Sequence, residues 1–134
     1  MKKLKVLSVI GISAFALFSF TKIVQEKWEV PVKFKSMKNP TDPKDKENAA
    51  EGKALFSKNC TSCHGKKGQG DGSKAPELKG DLGDFTLSDF QKQTDGELFY
   101  KISEGRKDMP TFKKKMPNEE DRWLVINYVR TLKK

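Results

Sequence analysis

The chain has little of what small proteins use to grip a metal or staple a fold: its 134 residues include one histidine and two cysteines. With only Cys60 and Cys63 available, a disulfide framework is excluded, and a bridge between them would close too short a loop to stabilise much. A structural zinc site takes four ligands, usually Cys or His, and here Cys63 and His64 would have to share one ion as chain neighbours. No alternating strand pattern and no internal repeat stands out, which argues against sheet folds and solenoids. The one long apolar run, Val6 to Phe20, is shorter than the roughly 20 residues of a membrane span.

That run is nonetheless the first informative feature. Lys2, Lys3 and Lys5 precede it in the layout of a secretory signal, Lys22 and Lys27 follow it, and its clearest small-x-small site, Ala14-Phe15-Ala16, lies inside it. Residues 1–20 are therefore read as a cleaved signal peptide or as a retained N-terminal membrane anchor, and both readings export the rest. Residues 21–47 form a Pro/Lys-rich extension with Pro31, Pro40 and Pro43. Trp28, Val30, Val32, Phe34 and Met37 make it too apolar for a pure linker, so part of it is expected to pack on its own domain or on a partner. The formal charge of +9 falls by three to +6 when Lys2, Lys3 and Lys5 are set aside. A basic surface steers encounters with acidic proteins or anionic membranes. Nucleic acid is excluded as a partner by the absence of any binding motif and by export.

The most informative residues are Cys60-Thr61-Ser62-Cys63-His64. Two cysteines three apart and a histidine directly after them read as a covalent c-type haem attachment site. A helical turn ending at Cys63 sets two sulfurs against the two vinyl groups of one porphyrin, and the next residue sends an imidazole to the iron. The competing thioredoxin-like dithiol needs a strand-helix-strand context, and the surrounding pattern is helical. Haem c, one and covalent, is the expected cofactor, and its apolar ring would serve a small domain as a core.

Residues 48–134 read as the folded domain, with helices throughout. Asn48 and Glu51 form a capping-box pattern, and Gly52, Phe56 and Cys60 share one face of the helix that follows. Gly65 to Gly80 is glycine-rich and irregular. Ser88 is a candidate cap for a short turn, Thr94 with Glu97 opens another helix that Gly105 stops, and Asn118 with Asp121 opens the last, through Trp123, Val125, Tyr128 and Leu132.

A haem iron held by His64 needs a second axial ligand or an open site, and with no other histidine the candidates are methionine, lysine or nothing. Met109 and Met116 lie in the domain, each followed by proline. Met109 is favoured because it sits in a loop between helices, whereas Met116 just before the last helix is placed to pack beneath its first turn. Lys113, Lys114, Lys115, Arg106 and Lys107 are expected to rim the exposed haem edge.

With these motifs the chain resembles a class I cytochrome c over residues 48–134: Gly52, Leu55, Phe56 and the Cys60 to His64 motif match the first helix and attachment site, Ala75-Pro76-Glu77-Leu78 a proline-x-leucine stretch, and Met109-Pro110-Thr111-Phe112 the distal loop. The resemblance implies an all-α class I cytochrome c fold, small helices wrapped around one covalently attached haem, with His64 and Met109 on the iron and the Pro76 carbonyl accepting from His64 Nδ1. It implies a ring buried against Phe56, Leu78, Phe99 and Tyr128. It also implies a non-enzymatic one-electron carrier in the periplasm, soluble or tethered to the outer face of the cytoplasmic membrane, serving acidic redox partner proteins. Two alternatives stay open: a fixed haem subunit of a membrane oxidoreductase complex, and an open-site haem enzyme or ligand-binding protein.

Overall fold

In the computed structural model, which describes residues 28–134, the chain forms six α-helices: α1 (Val32–Lys35), α2 (Lys46–Asn59), α3 (Thr61–His64), α4 (Ser88–Gln91), α5 (Asp95–Glu104) and α6 (Glu119–Thr131), with a 3-10 turn at Ala75–Glu77. The expected signal or anchor, residues 1–20, lies outside the described residues. The all-α expectation holds: among the described residues the only β pairing is an isolated bridge between Arg106 and Met109. No helix among them is long and apolar enough to cross a membrane.

The frame is the crossing of α2 and α6. Gly52 is buried at that crossing, where a Cβ would stand 2.3 Å from the Leu124 carbonyl oxygen, so the helices meet at a distance that only glycine permits. Around it pack Phe56, Val125, Ile126 and Val129, all nearly inaccessible to water. Helix α5 closes the third side, with Phe99 stacked on Trp123 at 4.0 Å between ring centroids and 11° between planes. Arg130 fastens the two helices, its Nη2 donating to Asp95 Oδ1 at 2.7 Å and to the Gln93 carbonyl at 2.6 Å.

Helix boundaries follow local chemistry. Thr94 and Glu97 make the expected reciprocal capping box on α5, and Gly105 at φ 69° ends that helix as expected. Asn118 caps α6. Helix α2 starts earlier than expected, because Asp45 rather than Asn48 accepts from the first N–H groups, at 2.8 Å from Glu47 and 2.9 Å from Asn48. Ser88 is the first residue inside α4 and makes no capping hydrogen bond.

The part of the extension that is described packs on its own domain. Phe34 lies against Tyr100 at 4.8 Å, and its carbonyl oxygen comes so near Gly96 that a Cβ there would sit 1.8 Å away. Val30 is 6% exposed. Asn39 Nδ2 donates to Asn127 Oδ1 at 2.7 Å and to the Trp123 carbonyl at 3.2 Å, while Asn127 Nδ2 returns a bond to Thr41 Oγ1 at 2.9 Å. These bonds satisfy a buried asparagine on α6 and fix the strap's register on the helix.

Candidate functional site

The attachment turn is built by backbone hydrogen bonds. Cys60 closes α2 and begins α3, its N–H donating to Phe56 and its carbonyl accepting from His64, both at 2.9 Å. At Gly65, φ 78°, the chain leaves the helix and doubles back. The N–H groups of Gly70, Gly72 and Lys74 then reach the carbonyls of His64, Cys63 and Ser62 at 2.9, 3.1 and 2.8 Å. The stretch is glycine-rich because the approach is close: a Cβ on Gly72 would stand 2.4 Å from Ser62 O and 2.6 Å from Cys63 O.

His64 is held on two sides. Its ring lies 4.6 Å from that of Phe85, and its Nδ1 is 3.1 Å from the Leu82 carbonyl oxygen. A carbonyl only accepts, so Nδ1 carries the proton and Nε2 keeps its lone pair for a metal. Burial lowers the His64 pKa, against the smaller opposing effect of the Leu82 bond. The neutral ring is the form that ligates. The resemblance implied Pro76 as the partner of Nδ1, and here the structure differs. Pro76 is exposed in the 3-10 turn, which is tied down through Lys74 and Ala75, and the chain passes the imidazole only six residues later, at Leu82.

His64 and Cys60 open onto a cavity of about 940 Å³, at the upper end of the range for sites that enclose a cofactor, roughly 300–1,000 Å³. Met109 lines it as well, and Met116 does not. Met116 is 2% exposed in the core, with Asn59 Nδ2 3.7 Å from its sulfur. Met109 is positioned by a tight turn in which Arg106 and Met109 exchange N–H to carbonyl bonds of 2.9 Å each, with Lys107 at φ 54° between them. Phe56 and Leu78 line the cavity as expected; Phe99 and Tyr128 do not, being taken up by Trp123 and by Phe56. Leu82, Phe85, Phe90, Val125 and Val129 stand among the lining residues instead. They belong to loops, to the short α4 and to a face of α6 whose period does not reveal which apolar residue meets a ligand and which meets another helix. Lys113, Lys114 and Lys115 are not among the cavity-lining residues: Lys113 pairs with Glu104, and Lys115 lies over the Phe112 ring at 5.7 Å. The cations at the cavity are Lys79, Lys101, Arg106 and Lys107.

The donor set suits a covalently attached haem. Burial, with Cys63 nearby as a lesser cause, pushes the Cys60 thiol up to about 12, which leaves that thiol neutral, and among the described residues the motif lies between helices with no strand beside it, unlike a thioredoxin-like dithiol. Cys63 is half-buried beside Ser62 Oγ, 3.8 Å from its sulfur, and is not among the cavity-lining residues. Among the described residues no group of three or more His, Cys, Asp and Glu gathers where it could hold a metal ion, so zinc finds no ligand set there. One imidazole with a free Nε2, a methionine in the same cavity and an apolar wall fit an iron porphyrin.

Comparison with known proteins points the same way. The family model described as cytochrome c oxidase, cbb3-type, subunit III matches residues 47–129. Among solved structures, a chain of the Kuenenia stuttgartiensis reducing HAO-like protein complex Kustc0457/Kustc0458 is 28% identical, over 71% of this chain and 47% of its own, with a TM-score of 0.61. This chain thus spans about half the length of that relative. The KustC0563 c-type cytochrome is 32% identical over 62% of this chain and 98% of its own, with a TM-score of 0.52. No curated protein matches.

Proposed function

The chain belongs to the cytochrome c family described as cbb3-type oxidase subunit III, as a small class I-like cytochrome with covalently bound haem c, and from that premise we propose that it passes single electrons through an iron held by His64 and Met109. Haem-based electron transfer is the family's chemistry; the ligand pair, the partners and the compartment are the proposal. Cys60 and Cys63 carry the thioether links. Haem c, when bound, supplies a one-electron iron couple whose potential a thioether ligand raises.

The observation that carries the reading is Met109 lining the same cavity as His64 while Met116 is buried elsewhere. His64, its Nδ1–H engaged by Leu82, keeps one orientation in both oxidation states. Phe56, Phe85, Val125 and Val129 exclude water from the ring, which disfavours the more highly charged oxidised state and limits reorganisation during transfer. Lys79 and Lys107, exposed at the cavity, would meet acidic partner proteins in brief, salt-sensitive encounters. Export places the domain in the periplasm, free or tethered to the outer face of the cytoplasmic membrane.

Near-infrared spectroscopy of the oxidised holoprotein tests the ligand pair. The methionine-to-iron charge-transfer band is expected in the wild type and in Met116→Ala, and is expected to be lost in Met109→Ala. Met116→Ala should instead cost about 2–5 kcal/mol of stability, as buried methionine truncations do. A wild type without the band, or one whose reduced form binds carbon monoxide at once, overturns the carrier reading in favour of an open-site haem protein.

A second reading has its own support, since the family description names an oxidase subunit and one relative is part of a complex. In it the chain is a fixed haem subunit of a membrane oxidoreductase complex. Mass spectrometry of the native protein separates the two: residues 1–20 still attached favour a tethered or complexed role, and their loss favours a diffusing carrier.

A further inference from the structure

We infer that the N-terminal strap completes the haem site: Trp28 forms a wall of the cavity and braces the loop that presents Met109. The brace rests on the His64/Met109 reading; the wall does not. The strap precedes residues 47–129 that match the family, so nothing in the family match assigns it a part in the site.

First, the strap is fixed where it lies. The Phe34 carbonyl occupies the space where any other residue at position 96 would put a Cβ, and Asn39 is bonded to Asn127 and Trp123 on α6. Strap and helices have been shaped to each other, which a loosely covering tail does not require. Second, the segment ahead of those anchors brings Trp28 to the cavity, where its half-buried side chain joins Leu98, Ile102 and Met109 in the lining. An indole there removes water from that side of the ring. Third, the indole carries two cations. The Arg106 guanidinium carbon lies 4.6 Å from the ring centroid and Lys101 Nζ 5.5 Å, inside the range in which an aromatic face attracts a cation. The ring's negative face attracts both cations, and Lys101 Nζ also donates to Gln93 Oε1. Arg106 is the residue whose backbone exchanges both hydrogen bonds with Met109, so holding the guanidinium against Trp28 holds the methionine's turn.

If the strap were only a surface cover, trimming Trp28 would lower stability and leave the iron as it was. The test uses the full-length holoprotein with Trp28→Ala, Trp28→Leu and Trp28→Phe, reading the reduction potential by voltammetry and carbon monoxide binding by the reduced form. Carbon monoxide needs the methionine displaced, so its rate follows the population of the open loop. Trp28→Ala is expected to bind it about tenfold faster than wild type, a change of the size two cation–π contacts support, and to show a lower potential. Trp28→Leu, which keeps apolar bulk without a π face, is expected to hold the potential near wild type yet bind carbon monoxide faster; Trp28→Phe should stay close to wild type in both. Unchanged rate and potential in Trp28→Ala overturn the inference, whatever happens to stability. If Trp28→Ala does not fold, a Trp28→Leu protein equal to wild type in carbon monoxide binding overturns the brace. A wild type lacking the near-infrared band overturns the Met109 reading separately; the wall then stands or falls on whether the Trp28→Ala potential drops.

Discussion

Two loops face each other across the cavity, and they are held by different means. The loop after His64 is tied to the attachment turn by its own backbone, through Gly70, Gly72 and Lys74, with Phe85 N–H returning to Gly68 O at 2.7 Å. The loop that presents Met109 has fewer backbone ties, the short Arg106–Met109 pairing and one bond across its base from Phe112 N–H to Ile102 O at 3.2 Å, and its remaining ties use side chains: Lys79 N–H on the opposite loop donates to Asp108 Oδ2 at 3.1 Å, Thr111 Oγ1 donates to Ser103 O at 2.6 Å, and Trp28 takes the Arg106 side chain. Backbone pairing is set once the local chain folds, whereas ties from remote side chains can be released one at a time. The histidine side is therefore the more rigid side, and under the proposed His64/Met109 ligation the methionine side is where ligand exchange and tuning would take place.

The strongest way to break this contrast is at Gly72. A Cβ there meets the Ser62 and Cys63 carbonyls, backbone atoms that cannot turn aside. Gly72→Ala is expected to cost about 3 kcal/mol or more, the upper range of overpacking, read as a lowered denaturant midpoint of the holoprotein. A midpoint equal to wild type would mean that the histidine loop has slack and that the two sides do not differ as described.

A smaller effect is expected at Asp108, where the methionine loop touches the histidine loop. Asp108→Ala removes the acceptor for Lys79 N–H and should cost about 0.5–1.5 kcal/mol while speeding carbon monoxide binding by the reduced protein about threefold. Asp108→Asn keeps an acceptor oxygen and should remain near wild type in both. If the alanine variant also behaves as wild type, the bond across the cavity mouth does not restrain the methionine.

The same contrast explains what could be read before folding. The histidine side is written in adjacent residues, Cys60 to His64 followed by closely spaced glycines, because its contacts are local; the cofactor, the all-α class and the caps at Thr94 and Asn118 were legible for that reason. Met109 was legible as a loop methionine because only two methionines in the domain competed. What escaped depends on chain segments far apart in sequence. Trp28 showed only as an apolar residue in a basic extension, and nothing near it signals Arg106. Leu82 replaced Pro76 behind the histidine because where a glycine-containing loop crosses a ring is decided by the whole path from Gly65 to Phe85. The lysines after Met109 read as a rim, yet Phe112 is buried and turns that segment away from the cavity.

The smallest expected effect lies at the far end of the histidine loop and checks that this side is rigid without help from charge. Asp84 Oδ1 accepts from Thr86 N at 2.8 Å and from Thr86 Oγ1 at 2.6 Å. The Thr86 hydroxyl first, then its N–H, hold the carboxyl below its ordinary value of 3.8, with the Lys134 charge adding to them and a slight desolvation opposing. A carboxyl with a lower pKa folded than unfolded stabilises the fold above the unfolded value and loses that contribution as pH falls through the folded one. Wild type and Asp84→Asn, which keeps an acceptor but does not titrate, should therefore show the same pH trend of stability above about pH 4 and diverge only below it. Because Lys134 N–H still reaches Thr86 O at 3.2 Å by backbone alone, the loop should keep its path when Asp84 is protonated. The paramagnetically shifted proton resonances of the His64 ring in the oxidised holoprotein should then keep their pattern across the pH range in which the two stabilities separate, and a pattern that changes along with stability would show that the histidine side leans on a surface carboxylate as much as the methionine side leans on Asp108.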